Sequence, residues 1–360
     1  MDNKMYKKYI RQRLFKSDPE SIHNLIIYLG RVMAFTKLSR LLRFNFVFKD
    51  KRLENEIMGI KFENPVGLSA GFDKNAQLTD FIPDLGFGFI EIGSVTANFC
   101  EGNPKPRLHR LVKDNAIIVH YGLANQGAEK IYQRLKYKCF RIPLGISIAK
   151  TNDSTIKGEK SVEDYFKSFE LLKNIGDYIT INISCPNSGD GRSFEDPFLL
   201  ESLLKKIEKV RRNEKIVLKI SPDINEGDLN SIINLSKRYK INGFIISNLS
   251  KKRENLSEDE NLKYVGGISG RPVQYKSDEL IKKVYKKTKG KFVIIGSGGI
   301  FSGEDAYRKI KNGASLIQLI TGMIYEGPGI VKKINREIVE LLEKDGFNNI
   351  QEAIGINARN

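Results

Sequence analysis

From Glu54 onward, short apolar runs alternate with stretches of helical periodicity. Eight runs stand out: Val66–Leu68, Phe89–Ile92, Leu144–Ile148, Tyr178–Ile183, Ile216–Ile220, Gly243–Ile246, Val293–Ile295 and Leu316–Leu319. Rich in Ile, Val and Leu, they have the texture of strands buried on both faces. Helical stretches separate most of them, among them Asp196–Arg212, which opens on an acid, and Gly303–Lys311, which stops at Gly313. Strand–helix alternation predicts parallel βαβ units. Eight of them over roughly 280 residues match the count and size of an α/β (β/α)8 TIM barrel. A doubly wound open sheet is the competitor. It wants fewer strands and a Gly-x-Gly-x-x-Gly turn after the first, and none follows Val66–Leu68.

Residues 1–50 have a different texture and predict a small helical extension, with the barrel over 51–360. Ser17-Asp18-Pro19-Glu20 reads as a helix start, with a cap, an early proline and an acid in the first turn. Ile22, Leu25, Ile26, Leu29, Val32 and Met33 then recur at helical spacing. A second segment carries Leu38, Leu41, Leu42, Phe44 and Phe46 among Lys37, Arg40 and Arg43. Such a basic amphipathic pair suits either a membrane surface or a helical hairpin packed on the main domain. Arg31 interrupts Leu25–Ala34, so a signal-peptide core is not expected, and no apolar run is long enough to span a bilayer.

Composition narrows the chemistry. Three separated cysteines (Cys100, Cys139, Cys185) and three scattered histidines make neither a disulfide framework nor a metal-ligand pattern, so no metal is expected and a reducing compartment fits. The formal net charge of +17 admits nucleic acid, anionic membrane or anionic substrate. Lysine is spread along most of the chain, however, which makes a general compositional bias the simpler account, and no nucleic-acid partner is expected.

Barrel sites are built at the carboxyl ends of the strands. The polar residues there are Asp73-Lys74, Ser94, Ser147, Asn182/Cys185/Asn187, Lys219, Ser247-Asn248, Ser297 and Thr321, which would share one rim. The stretch Tyr178–Arg192 is the most distinctive, a buried strand that breaks into Ser184-Cys185-Pro186-Asn187. Asn182 and Asn187 could grip a planar polar ligand while Cys185 faces it, or Cys185 could be a small buried hydrophobe. Lys219 interrupts the apolar run Ile216–Ile220. Pointing inward, it requires an anion or an electron-rich ring, such as a flavin N1–C2=O edge. Gly266-Gly267-Ile268-Ser269-Gly270 before strand seven and Gly296-Ser297-Gly298-Gly299 after it predict a phosphate cradle at the usual barrel position.

With these motifs in order, the chain resembles the dihydroorotate dehydrogenase family, in its membrane-associated, quinone-using branch. The resemblance runs through Asn64–Gly67, Gly71–Lys74, Gly86–Thr96, Gly102–Arg107, Asn182–Asn187 and Gly266–Pro272. It implies FMN as cofactor, with Ala70, Gly71, Lys74, Ser94, Asn182, Lys219 and Ser247 around it and Gly270, Gly299 and Thr321 on its phosphate. It also implies dihydroorotate as substrate, held by Lys74, Asn182, Asn187 and Asn248, with Cys185 as the base. A quinone acceptor under residues 1–50 and a peripheral place on the cytoplasmic side of a membrane complete the expectation. The chain departs from the pattern in four places. Cys185 stands where the quinone branch usually has Ser, Val119 and Ser147 replace asparagines, and Leu249 replaces Thr. The alternatives are an FMN oxidoreductase of a related pyrimidine or one using fumarate or NAD, a tRNA-dihydrouridine synthase, and a flavoprotein without turnover.

Overall fold

Each of the eight apolar runs folds as a strand, and hydrogen bonding closes them into a barrel. The computed structural model describes residues 5–36, 38–184, 194–254, 256–257 and 263–359. At the start, helical turns over 6–14 lead into α1 (Pro19–Ala34) and α2 (Leu38–Phe46). The Asp18 carboxylate accepts from the Ser21 amide at 2.7 Å with Pro19 in the first turn, as the sequence predicts. A hairpin of β1 (Asn55–Ile57) and β2 (Ile60–Phe62) follows, turning through Met58-Gly59, both at positive φ. Three-residue strands of mixed polarity carry too little periodicity to be read from sequence, so this hairpin was not among the expected elements.

The chain then runs through β3 (Val66–Leu68), β4 (Phe89–Val95), the pair β5 (Leu108–Leu111) and β6 (Ala116–Val119), α3 (Ala128–Leu135), β7 (Leu144–Ile148), α4 (Glu159–Leu172), β8 (Tyr178–Asn182), α5 (Pro197–Glu208) and β9 (Ile216–Ile220). It continues through α6 (Glu226–Arg238), β10 (Gly243–Ile246), β11 (Gly267–Gly270), α7 (Gln274–Thr288), β12 (Val293–Ser297), α8 (Gly303–Lys311), β13 (Leu316–Leu319), α9 (Thr321–Glu326) and α10 (Ile330–Asp345). The closed order is β3-β4-β7-β8-β9-β10-β12-β13, each neighbour parallel. Strands β5, β6 and β11 form a separate antiparallel sheet, with β6 central. The Gly266–Gly270 cluster therefore enters a strand rather than an open loop.

Alternation along the strands sorts the barrel interior from the helix-facing layer. Phe89, Tyr178, Val217, Ile245, Ile295 and Leu316 pack inside with Phe62 of the hairpin, which stoppers the amino-terminal end. Above this plug Glu91 accepts from Thr180 Oγ1 at 2.8 Å, Gln318 Nε2 at 3.2 Å and Tyr178 OH at 3.3 Å. Glycines make room for the plug's rings: a Cβ on Gly67 would fall 2.3 Å from the Phe89 ring, and one on Gly145 2.2 Å from Tyr178. Because the interior is close-packed, Gly145→Ala is expected to destabilise the fold by about 1–3 kcal/mol. Chemical denaturation would show it as a lower midpoint at unchanged slope.

Candidate active site

A cleft opens at the carboxyl ends of the barrel strands. Its empty volume, open mouth included, is ≈ 1300 Å³, room for a ring system with a charged tail. Of the residues the sequence singled out, Ala70, Gly71, Lys74, Ser94, Asn182, Lys219, Ser247, Asn248, Gly299 and Thr321 all line it. Gly270 does not border the cleft. Its φ of +109° and the Asn115 carbonyl, 2.3 Å from where a Cβ would sit, account for the glycine. Asp73 turns away from the rim, accepting from the amides of Gln77 (2.8 Å) and Leu78 (2.7 Å) to close the loop after β3. Burial pushes its carboxyl pKa up even so, against those amides. Ser147 sits behind the wall, its hydroxyl 2.8 Å from that of Ser94. Cys185 and Asn187 lie outside the described residues.

The inward side chains of β8 and β9 form the floor. Lys219 is 5% exposed and its Nζ donates to Ser69 Oγ at 3.4 Å. Asn182 donates to Ser94 Oγ at 3.0 Å. Asn248 donates to Asn182 Oδ1, to the Ser184 carbonyl and to Ser184 Oγ, each at 3.1 Å. The two carboxamides thus hold each other and pin the chain just ahead of Cys185, where the sequence suggested only that they face a ligand. A ligand reading Asn248 would exchange with these contacts.

At the rim after β12, Gly298 and Gly299 have φ of +103° and +71°. A Cβ on Gly298 would meet nothing nearer than 3.5 Å, so the backbone conformation, not crowding, asks for glycine there. Opposite, Ser269 and Thr321 place their hydroxyls 2.9 Å apart. The Ser247 hydroxyl is buried and has no hydrogen-bond partner among the described residues. A lysine in the floor, carboxamides beside it, an unsatisfied hydroxyl and glycines at an open rim suit a planar, hydrogen-bonding group with an anionic tail. FMN has that chemistry, and the residues fit it.

The neighbourhood of Lys74 leaves little trace in the sequence. His23, on the inner face of α1, places Nε2 3.4 Å from Lys74 Nζ. That ammonium lies 3.9 Å from the Tyr121 ring centroid, and the Arg107 guanidinium carbon is 4.9 Å from the same ring. Arg107 in turn grips Glu20 with two hydrogen bonds, at 2.8 and 3.1 Å, both residues being buried. Burial lowers the Lys74 pKa to about 8, with Arg107 adding and Glu20 and Asp73 opposing. Burial and then the Lys74 charge hold His23 well below the usual imidazole range. Burial opposes ionisation of Glu20, but Arg107 more than offsets it and the carboxyl stays below its ordinary value. In sequence, His23 looks like one more inward position of an amphipathic helix.

A second, mainly apolar cavity lies between the two amino-terminal helices and the barrel, bordered by Ile22, Ile26, Met33, Phe46, Phe81 and Met323. His23, Phe72, Leu108, Ile117 and Ile324 border both cavities. The two cavities thus share these five residues as a common wall.

Residues 52–342 match the family model described as dihydroorotate dehydrogenase. A dihydroorotate dehydrogenase (quinone) from Christiangramia forsetii is 44% identical over 341 residues, covering 93% of this chain and 99% of the relative. One from Trichodesmium erythraeum is 39% identical over 360 residues, covering 95% of each. The crystal structure of an Eimeria tenella DHODH in complex with ferulenol superposes with a TM-score of 0.85 at 31% identity, over 95% of this chain and 96% of that one. With a closed parallel barrel, a cleft at its carboxyl end and an apolar chamber against it, the chain belongs to the dihydroorotate dehydrogenase family, in the branch named for quinone.

Proposed function

We propose that this chain oxidises dihydroorotate to orotate, a step of de novo pyrimidine synthesis, and passes the electrons to a quinone. The family is flavin-dependent, and FMN is the form that suits this cleft. The observation that carries the reading is the shared wall. A cleft carrying two lysines and two asparagines for an anionic substrate and an apolar chamber for a lipophilic acceptor meet across a few side chains. Residues 51–360 supply the first, apart from His23 at its border, and residues 1–50 cover the second.

FMN held in the cleft would supply a two-electron acceptor for the hydride leaving C6 of the substrate. Ala70, Gly71, Ser94 and Ser247 would border its ring, Lys219 its electron-rich edge, and Gly299 and Thr321 would serve its phosphate. Cys185 takes the proton from C5. Asn182, Asn187 and Asn248 read the imide edge of the substrate, and Lys74 meets its carboxylate. The test is anaerobic. Dihydroorotate should bleach the yellow protein, and ubiquinone or menaquinone should restore the colour faster than fumarate or NAD⁺. A colourless protein that takes up no FMN would end this reading.

The amino-terminal helices support peripheral membrane contact. While Ile22, Ile26 and Met33 face the chamber, Leu25, Tyr28 and Val32 are exposed, with Phe35 at 89% and Phe44 at 83%. Arg31 and Arg43 sit among them, a pattern that suits an anionic bilayer surface. Among the described residues no helix is long and apolar enough to cross a membrane. Phe35→Glu is expected to weaken binding to phosphatidylglycerol-containing vesicles by roughly tenfold or more, since it removes one aromatic from the apolar phase and adds a repelled charge. Vesicle co-sedimentation reads this directly.

A further inference from the structure

We propose that His23 is a positioning residue for Lys74, so that the amino-terminal extension takes part in substrate oxidation as well as in delivering electrons. The inference rests on the reading above for the identity of Lys74's ligand, the substrate carboxylate.

The geometry is a ring of contacts closed around one ammonium. Lys74 leaves the loop after β3 and its Nζ ends between the Tyr121 ring face and His23 Nε2. An ammonium only donates, so the facing Nε2 carries the lone pair and the imidazole proton sits on Nδ1. Packing fixes the imidazole. Its ring stands at 90° to that of Phe72, with centroids 5.1 Å apart, and at 66° to Tyr121, at 6.4 Å. The depressed imidazole pKa keeps His23 an acceptor throughout the neutral range. Three residues earlier on α1, Glu20 clamps Arg107, which lies over the same Tyr121 ring. The helix therefore reaches Lys74 by two routes, directly through His23 and indirectly through Glu20, Arg107 and Tyr121.

The titratable groups around the pair are Glu20 on α1, Asp73 beside Lys74, Arg107 ahead of β5 and Tyr121 after β6. Glu20 and Asp73 raise the Lys74 pKa, and Arg107 lowers it. Burial leaves the ammonium titrating near 8, close to the pH at which an enzyme works, so an acceptor that favours its charged form matters. For a lysine binding a carboxylate, affinity is full below that pKa and falls as pH rises through it. Removing the Nε2 acceptor disfavours the charged form and moves the fall to lower pH.

The experiment uses the full-length, flavin-loaded protein and the flavin absorbance change on adding orotate, across pH 6–9.5. His23→Leu is expected to move the alkaline fall in affinity down by about one pH unit, weakening orotate roughly fivefold at pH 8 and little at pH 6.5. His23→Gln, which restores a neutral acceptor, should recover most of the shift. Unchanged orotate pH profiles in both variants, with only quinone reduction impaired, would overturn the proposal and confine His23 to the acceptor side. A second readout needs no substrate. With ¹⁵N-labelled histidine, Lys74→Met should raise the His23 imidazole pKa, because the charge lowering it is gone. An unmoved His23 resonance would overturn the contact itself. A wild-type protein that binds no orotate, yet shows the histidine shift, would instead overturn the substrate assignment and leave the contact standing.

Discussion

Replacing Cys185 with Ala is expected to slow flavin bleaching by dihydroorotate by about 10²- to 10⁴-fold, the usual worth of a positioned general base. Flavin content should stay near that of the wild type. Cys185 lies outside the described residues, but the chain leading to it is well anchored. β8 ends at Asn182, whose side chain lines the cleft, and the next two residues make a turn. Ser184 donates to the Lys219 carbonyl at 2.9 Å and receives Asn248 on both its carbonyl and its hydroxyl. The chain is thus anchored up to Ser184 by contacts to Lys219 and Asn248. A free thiol titrates ordinarily near 8.5 and needs only modest help to accept a proton at working pH. Rapid mixing under anaerobic conditions separates this step from quinone reduction. A Cys185→Ala rate within a few-fold of the wild type would move the base elsewhere.

The barrel was legible because its signal is repeated. Eight buried parallel strands each need an apolar run, and every run named from sequence closes into the sheet. The stop of α8 before Gly313 and the cap at Asp18 were equally local, since one residue decides each. The β5-β6-β11 sheet was not legible. Its edge strand Leu108–Leu111 is half polar, and β11 is a glycine-rich stretch that pairs only because β6 reaches it from far away in the chain. The same limit applied to the site. Residues at strand ends could be placed on one rim, because parallel strands share a direction. Which of them turn inward depended on side-chain hydrogen bonds, and so Asp73 and Ser147 were expected at the rim although one closes a turn and the other backs Ser94. His23 came from the extension, outside the periodic pattern that located everything else.

Lys219→Met is expected to weaken FMN binding by roughly 2 kcal/mol or more, about 30-fold, while the barrel still forms. The substitution keeps the length and apolar stem of the side chain and removes only the charge. On β9, Val217 points into the apolar plug and Lys219 lies one pleat further along on the same face, while Ile216, Leu218 and Ile220 pack outward against helices. Its neighbours in register are Asn182 on β8 and Ile245 on β10, so the ammonium leaves the sheet between a carboxamide and an apolar side chain. Water is scarce there, with 5% of the residue exposed, and in such surroundings an attraction to a polar, electron-rich edge is worth far more than at a surface. The loss should appear as a higher dissociation constant when apoprotein quenches FMN fluorescence, and as slower bleaching in protein saturated with FMN. An FMN affinity unchanged to within about threefold, in a variant whose thermal melt matches the wild type, would mean that Lys219 serves the barrel and not the cofactor.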